Sequence, residues 1–231
     1  MIGGKKVLAL IPARGGSKGI KDKNIIDVEG KPLIAYTIDT ALSSQYVDSV
    51  VVTTDSEKIK SVSEKWGARV PFLRPAEYAS DQSTTLDAVL HALKELQAGG
   101  EKFDILALLQ PTSPLRTTED LDGALEKFME KGYSALAGIS PVTDSPVLIR
   151  RLTDEGRMEK LLQISSTVRR QDMPAYYRIN GSIYINTTEE IDENTSFNDN
   201  PVPYVMDEEH AVDVDDLKDL EVVKYYLRKR K

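Results

Sequence analysis

The chain has 231 residues, 40% hydrophobic and 29% charged, values of an ordinary globular protein that exclude disordered, collagen-like and disulfide-scaffold classes. It has no cysteine and two histidines, His91 and His210, which excludes thiolate nucleophiles and Cys-based metal centres and confines any Ser-His-Asp triad to those two. Thirty Lys and Arg against 37 Asp and Glu give a net charge of −7, which argues against nonspecific nucleic-acid binding. In chain order, residues 7–11 (VLALI) form a continuous apolar run, the pattern of a strand buried on both faces. Pro12 ends it, and residues 13–24 are a polar, Gly-rich loop. Helical spacing through Leu33, Ile34, Tyr36, Thr37, Ala41 and Leu42 predicts a helix over 32–43, with Pro32 in the first turn. A strand is expected over 47–53, then a helix capped by Ser56 and stopped by Gly67. Residues 84–97 are amphipathic, with Leu86, Val89, Leu90, Leu93 and Leu96 facing inward. A third buried strand is expected over 103–109, a helix over 118–131 and a strand over 134–139. Residues 141–180 lack strong periodicity and are rich in arginine. Strands follow over 181–186, 204–206 and 211–214, and a closing helix over 216–230 runs from acidic to basic, matching the helix dipole.

This alternation implies one domain over 1–231, a doubly wound, mostly parallel α/β sheet with an insertion lobe at about 141–180. In such a sheet ligands sit at the carboxyl ends of the strands, so the loops at 12–24, 54–56, 110–116 and 140–146 are the candidate site. No apolar run approaches the roughly 20 residues of a membrane helix, and the first apolar run is too brief for a signal peptide. A cytoplasmic enzyme without membrane or nucleic-acid partners is therefore expected.

The charge is unevenly placed. Residues 1–31 hold seven Lys and Arg against three acids, whereas residues 187–221 hold thirteen acids against Lys218 alone. A basic entrance loop on an acidic protein suits a small anionic ligand. In IPARGGSKGIKDKN (11–24), Gly15, Gly16 and Gly19 let backbone N–H groups turn toward an anion, and Arg14, Lys18 and Lys21 add charge for a triphosphate. The loop is neither a Walker A sequence nor GxGxxG. In LRPAEYASDQST (73–84), Asp81 to Thr84 looks like a capped helix start. In LLQPTSPLR (108–116), Gln110, Thr112 and Ser113 stand on a Pro-rigidified turn able to hydrogen-bond a polyhydroxyl ligand. In AVDVDD (211–216), a strand would turn Asp213 and Asp215 to one face, where two carboxylates suit Mg²⁺, or both acids simply precede a helix that Asp216 caps.

Together these stretches resemble the acylneuraminate cytidylyltransferase family, the CMP-sialic acid synthetases. The resemblance is carried by Arg14, Gly16-Ser17-Lys18-Gly19, Lys23-Asn24, Arg74-Pro75-Ala76-Glu77, Ser80-Asp81, Gln110 through Arg116, Asn180 through Tyr184, and Asp213-Val214-Asp215. It implies a Rossmann-like nucleotidyltransferase that transfers CMP from CTP to the anomeric C2 hydroxyl of an acidic nine-carbon α-keto sugar, with Mg²⁺ and release of pyrophosphate. The sugar would be N-acetylneuraminic acid or a close relative. Legionaminic and pseudaminic acids are alternatives, as are, further off, a CMP-Kdo synthetase or an inactive nucleotide-binding homologue. The resemblance further implies a homodimer joined through the lobe. By position, Arg14, Gly16, Ser17, Lys18 and Asn24 would hold the triphosphate, and Arg74 and Ser83 the cytidine moiety. Gln110 would meet the acceptor sugar, Arg170, Arg178 and Asn180 would contact sugar or phosphate, and Asp213 and Asp215 would hold the metal. Lys18, Arg14 and Asp215 are the expected catalytic residues. The lobe departs from the family where Ser145-Pro146-Val147-Leu148 replaces a common His-Pro or Lys.

Overall fold

Strand β1 (Val7–Pro12) is apolar throughout because both of its faces are covered: Val7, Leu8, Ala9, Leu10 and Ile11 are fully buried. In this computed structural model all residues are described except Lys18, Asp81, Lys131, Tyr133, Val168, Lys231 and the side chain of Arg170. After β1 come the short pair β2 (Asp27–Val28) and β3 (Lys31–Pro32), helix α1 (Leu33–Ser43), β4 (Ser49–Thr53) and α2 (Glu57–Lys65). Then follow α3 (Thr85–Ala98), β5 (Ile105–Leu109), α4 (Thr118–Glu130) and β6 (Ala135–Pro141). The hairpin β7 (Arg150–Leu152) and β8 (Met158–Lys160) precedes β9 (Tyr177–Thr187), β10 (Val202–Val205) and α5 (Leu217–Lys229).

The main sheet has the order β10-β6-β9-β5-β1-β4. Pairs β1/β4, β1/β5 and β6/β10 are parallel, and β9 runs antiparallel between β5 and β6. The chain moves outward from β1 through α1 to β4, then returns through α3 to β5 on the other side of β1. That reversal leaves a crevice beyond the carboxyl ends of β1 and β5.

Alternate residues of the strands serve the two faces. Val7, Ala9 and Ile11 pack with Ile34 and Ile38 of α1 and with Leu121, Leu125 and Phe128 of α4. Leu8 and Leu10 pack with Val89, Ala92 and Leu96 of α3, and with Tyr184 and Phe197. Burying each large aliphatic side chain contributes about 1.5–3 kcal/mol. A third cluster joins Val28, Leu33 and Leu115 to Val214, Leu220 and Val223, and so seats α5 and the chain before it beside the start of α1.

The helix ends follow the sequence signals. Ser56 caps α2 by accepting from the Ile59 N–H, and Gly67 follows it at φ +93°. Thr84 and Asp87 form a reciprocal capping box on α3, as Asp216 and Asp219 do on α5.

Three expectations are corrected. Residues 211–214 do not form a strand. They cross the end of the sheet, where the Val214 N–H donates to the Thr112 carbonyl (2.8 Å) and no strand lies alongside to continue a ladder. The last sheet strand is Val202–Val205 rather than 204–206. Strand β9 also begins at Tyr177, so the expected strand at 181–186 is only its inner part. Between β6 and β9 the chain leaves the sheet and forms the β7–β8 hairpin, whose Leu152 and Met158 are exposed.

Candidate active site

A cleft of about 460 Å³ opens beyond the carboxyl ends of β1 and β5. Of the expected site residues, the structure brings Arg14, Ser17, Asn24, Arg74, Ser83, Gln110 and Asp215 to its walls. Lys18 and the side chain of Arg170 lie outside the described residues. Gly16, Arg178, Asn180 and Asp213 are not among the described residues lining the cleft.

The loop after β1 is tied down at several points. The Ala13 N–H donates to the Thr53 carbonyl (3.0 Å) and the Gly15 N–H to Asp55 Oδ1 (2.9 Å). Asn24, 5% exposed, donates from Nδ2 to the Arg14 carbonyl (3.0 Å). Arg14 Nη1 reaches across to the Ser80 carbonyl (3.2 Å). A Cβ built on Gly19 would stand 2.7 Å from the Asp215 carbonyl oxygen, so only glycine allows the loop to lie this close to the acidic segment. Lys23 Nζ closes the same junction by donating to the Val214 carbonyl (2.7 Å) and to Asp215 Oδ1 (3.4 Å).

Arg74 lies between α2 and α3, its N–H donating to the carbonyl of Thr54 just after β4 (2.8 Å). Its side chain is buried, and Nε and Nη2 have no hydrogen-bond partner among the described residues. Burial lowers its guanidinium pKa; Asp55 opposes that shift and Arg14 adds to it. Unspent cationic donors in a cleft call for an anionic or carbonyl acceptor. The neighbouring loop closes on itself, with Ser83 Oγ donating to the Glu77 carbonyl (2.8 Å). Behind it, the Tyr78 and Phe72 rings pack on His91 with centroids 5.1 and 5.3 Å away, and burial lowers the His91 pKa. His210 lies outside the cleft, with Nδ1 2.9 Å from Asp120 Oδ2.

Asp213 and Asp215 sit on the irregular segment before α5. The Asp215 carboxylate is exposed and faces the cleft. Asp213 is half-buried, and its Oδ1 is enclosed with no hydrogen-bond partner among the described residues. Burial raises the Asp213 pKa, a hydrogen bond from Thr112 opposes this, the Asp215 charge adds to it and Lys23 counters it. An orphaned carboxylate oxygen beside a second carboxylate fits a hard divalent cation. Among the described residues no three His, Asp or Glu converge as a complete cage. The pair therefore suits Mg²⁺, which takes few protein carboxylates and fills its shell with phosphate and water.

Arg178 and Asn180 stand on β9. Arg178 is exposed and pairs with Ser140 of β6. Asn180, 6% exposed, accepts from the Ser182 N–H (3.0 Å) and donates toward Met206 Sδ (3.4 Å). Sequence reasoning leaves out Lys23 as a contact residue, together with the cleft-lining Tyr78, Thr84 and Thr85. The signal for Lys23 was its place in the basic loop beside Asn24. No local signal marks the other three, because helix capping and ring packing explain those residue types equally well.

A family model described as cytidylyltransferase matches residues 8–228. A CMP-N,N'-diacetyllegionaminic acid synthase of Legionella pneumophila is 38% identical over 218 residues, covering 91% of each chain. A pseudaminic acid cytidylyltransferase of Campylobacter jejuni is 34% identical over 223 residues, covering 95% of each. An N-acylneuraminate cytidylyltransferase of Escherichia coli is 36% identical over 94% of this chain, which spans about half (51%) of that protein. The solved structure of a CMP:2-keto-3-deoxy-manno-octonic acid synthetase complexed with CTP shares the fold, with a TM-score of 0.74 at 17% identity over 98% of this chain and 100% of that one. The chain, matched over nearly its whole length, belongs to the cytidylyltransferase family.

Proposed function

We propose that the protein transfers CMP from CTP to the anomeric C2 hydroxyl of an acidic nine-carbon α-keto sugar of the sialic, legionaminic or pseudaminic type, releasing pyrophosphate. The observation that carries this reading is the cleft itself. Its basic loop, its buried Arg74 with unspent donors and its acidic wall at Asp215 meet at the carboxyl ends of β1 and β5. The relatives of Legionella pneumophila and Campylobacter jejuni, similar over nine-tenths or more of both chains, are named for CMP activation of such sugars.

The chemistry is in-line displacement at the α-phosphorus of CTP. A bond forms from the C2 oxygen to the α-phosphorus, the bond from that phosphorus to the α,β-bridging oxygen breaks so that the oxygen leaves with pyrophosphate, and the hydroxyl proton passes to solvent. Such a reaction asks the protein chiefly for positioning and charge neutralisation. Arg14, Ser17, Lys18 and Asn24, with backbone N–H groups of the glycine loop including Gly16, hold the triphosphate. Arg74 and Ser83 hold the cytidine moiety, and Gln110 meets the acceptor. Arg170 and Arg178 reach sugar or phosphate from the lobe segment. Mg²⁺ held by Asp213 and Asp215 would neutralise charge on the bound triphosphate and on the pyrophosphate that leaves. No histidine is required, in keeping with the places of His91 and His210.

The reading includes a homodimer joined through the segment at about 141–180, supported by the exposed Leu148, Leu152 and Met158. It also places the enzyme in the cytoplasm, where CTP is available. Among the described residues no helix is long and apolar enough to cross a membrane. The test is pyrophosphate release from CTP and Mg²⁺ with N-acetylneuraminic, legionaminic, pseudaminic and Kdo acids offered separately. Release with one of the nine-carbon acids is expected. Release with none of the four acids removes the reading, and release with Kdo alone replaces it. Sedimentation at micromolar concentration tests the dimer.

A further inference from the structure

We propose that Arg116 is a positioning residue for the acceptor site, its buried guanidinium bracing the Gln110 backbone against strand β9. The inference rests on the reading that Gln110 meets the acceptor sugar.

Arg116 is 2% exposed, and its donors are turned into the fold. Nη2 donates to the Gln110 carbonyl at 2.7 Å. Nε donates to the Ser182 carbonyl at 3.2 Å and to Ser182 Oγ at 3.1 Å. The Ser182 N–H donates in turn to Asn180 Oδ1, and Asn180 Nδ2 reaches Met206 Sδ just beyond β10. A continuous buried polar chain thus runs from the end of β10, through β9, to the lip of the cleft. It gives Asn180, which does not line the cleft, a role at a distance.

Holding a guanidinium here is costly. Burial pulls the Arg116 pKa down to about 9, with Asp120 only partly opposing the shift, and Nη1 has no hydrogen-bond partner among the described residues. What the planar fork supplies is direction. It holds two backbone carbonyls of different elements at fixed angles, which a lysine's single ammonium cannot do. The loop from Gln110 to Arg116 has no regular structure of its own, so such ties set its course. The fork runs to Gln110 and Ser182, whereas Arg14 and Asn24 come from the loop after β1 and Arg74 from the segment between α2 and α3. Loss of the fork should therefore weaken acceptor use and spare CTP.

The test is Arg116→Lys, which keeps a positive charge and removes the fork. The KM for the sugar acid is expected to rise about tenfold or more, with the KM for CTP unchanged within about twofold. In substrate-free protein, amide exchange over residues 110–116 should quicken about tenfold while β1 stays protected. In a Gln110→Ala background, Arg116→Lys should add less than about twofold to the acid KM, because both changes act on one contact. Ser182→Ala, which removes one acceptor and keeps the arginine, should shift the acid KM in the same direction by about two- to fivefold, and it serves should Arg116→Lys fail to fold. Equal rises in both KM values, additive effects with Gln110→Ala, or unchanged exchange over 110–116 would each overturn the brace. If Gln110→Ala alone leaves the acid KM unchanged, it is the acceptor assignment of Gln110 that falls. The exchange measurement needs no substrate and still decides whether Arg116 braces the loop.

Discussion

Two nitrogens of Arg74, Nε and Nη2, are buried without hydrogen-bond partners among the described residues. Leaving a buried donor unsatisfied costs about 1–3 kcal/mol, and more when it is charged. A fold keeps such a group when a ligand completes it. Arg74→Met, of similar length and without the charge, is therefore expected to leave the free protein as stable as before or about 1 kcal/mol more stable. The same change should raise the KM for CTP about tenfold or more. Melting curves and CTP titrations on one preparation check both halves, and a large loss of stability would show that the guanidinium is satisfied in the free protein. The adjacent carboxylates Asp215 and Asp216 separate in the same way. Asp215 is exposed, so Asp215→Ala should cost within about 0.5 kcal/mol of stability. Removing a metal carboxylate forfeits several kcal/mol of charge stabilisation, which corresponds to a fall in kcat of about a hundredfold or more. Asp216 accepts from the Lys218 and Asp219 N–H groups at the start of α5, so Asp216→Ala should instead lower the melting temperature and spare kcat. Wild-type turnover in Asp215→Ala would remove the metal assignment. That Asp216 is a cap was legible in the sequence. That Asp213 is half-buried and Asp215 open was not, because their equal spacing says nothing of which side chain the neighbouring Thr112 loop covers.

Elements were legible where a local rule and the tertiary environment agree. The run at 7–11 is buried on both faces, and Thr84 begins α3, because continuous apolarity and a capping residue each have few structural solutions. The alternation Val212-Asp213-Val214-Asp215 has more than one. Period two suits a strand, yet it equally suits an irregular segment that buries Val214 in the third apolar cluster and turns its acids aside. What decides is the absence of a neighbouring strand, a tertiary fact. The glycine loop meets this segment at Gly19, and that contact carries a prediction of its own. In Gly19→Ala the new Cβ would start 2.7 Å from the Asp215 backbone carbonyl, which has no rotamer by which to escape. The loop or the acidic segment must shift. Overpacking of this kind costs about 1–3 kcal/mol, and displacement of the reacting groups should lower kcat/KM about ten- to a hundredfold. Thermal melts and initial rates are the measurements, and unchanged rates would mean that the two segments do not act as one unit.

At the scale of the whole molecule, the net charge of −7 hides two opposed regions, a basic start and an acidic late stretch, and the fold brings the loop after β1 against the acidic segment at Asp215. Lys23 and Val214 lie 191 residues apart and are joined by a hydrogen bond at the wall of the cleft. The α/β class was legible because strands and helices alternate. The antiparallel course of β9 was not, since an apolar strand reads alike in either direction. Nor was the β7–β8 hairpin, whose exposed side chains leave no buried face to set an alternation. A site built from both ends of the chain makes ligand binding a stability term for the entire fold. A ligand at about a hundred times its Kd stabilises by about 2.7 kcal/mol, and for a domain of about 200 residues each kcal/mol raises Tm by about 2–4 °C. CTP with Mg²⁺ should therefore raise Tm by about 5–10 °C. Mg²⁺ alone should do little, because two carboxylates without phosphate oxygens hold it weakly. CTP alone should give an intermediate shift through Arg14, Lys23 and Arg74. In Asp215→Ala the shift from CTP alone should persist, while the increment from adding Mg²⁺ disappears. An undiminished Mg²⁺ increment in that variant would place the cation elsewhere and leave the acidic segment with a structural role only.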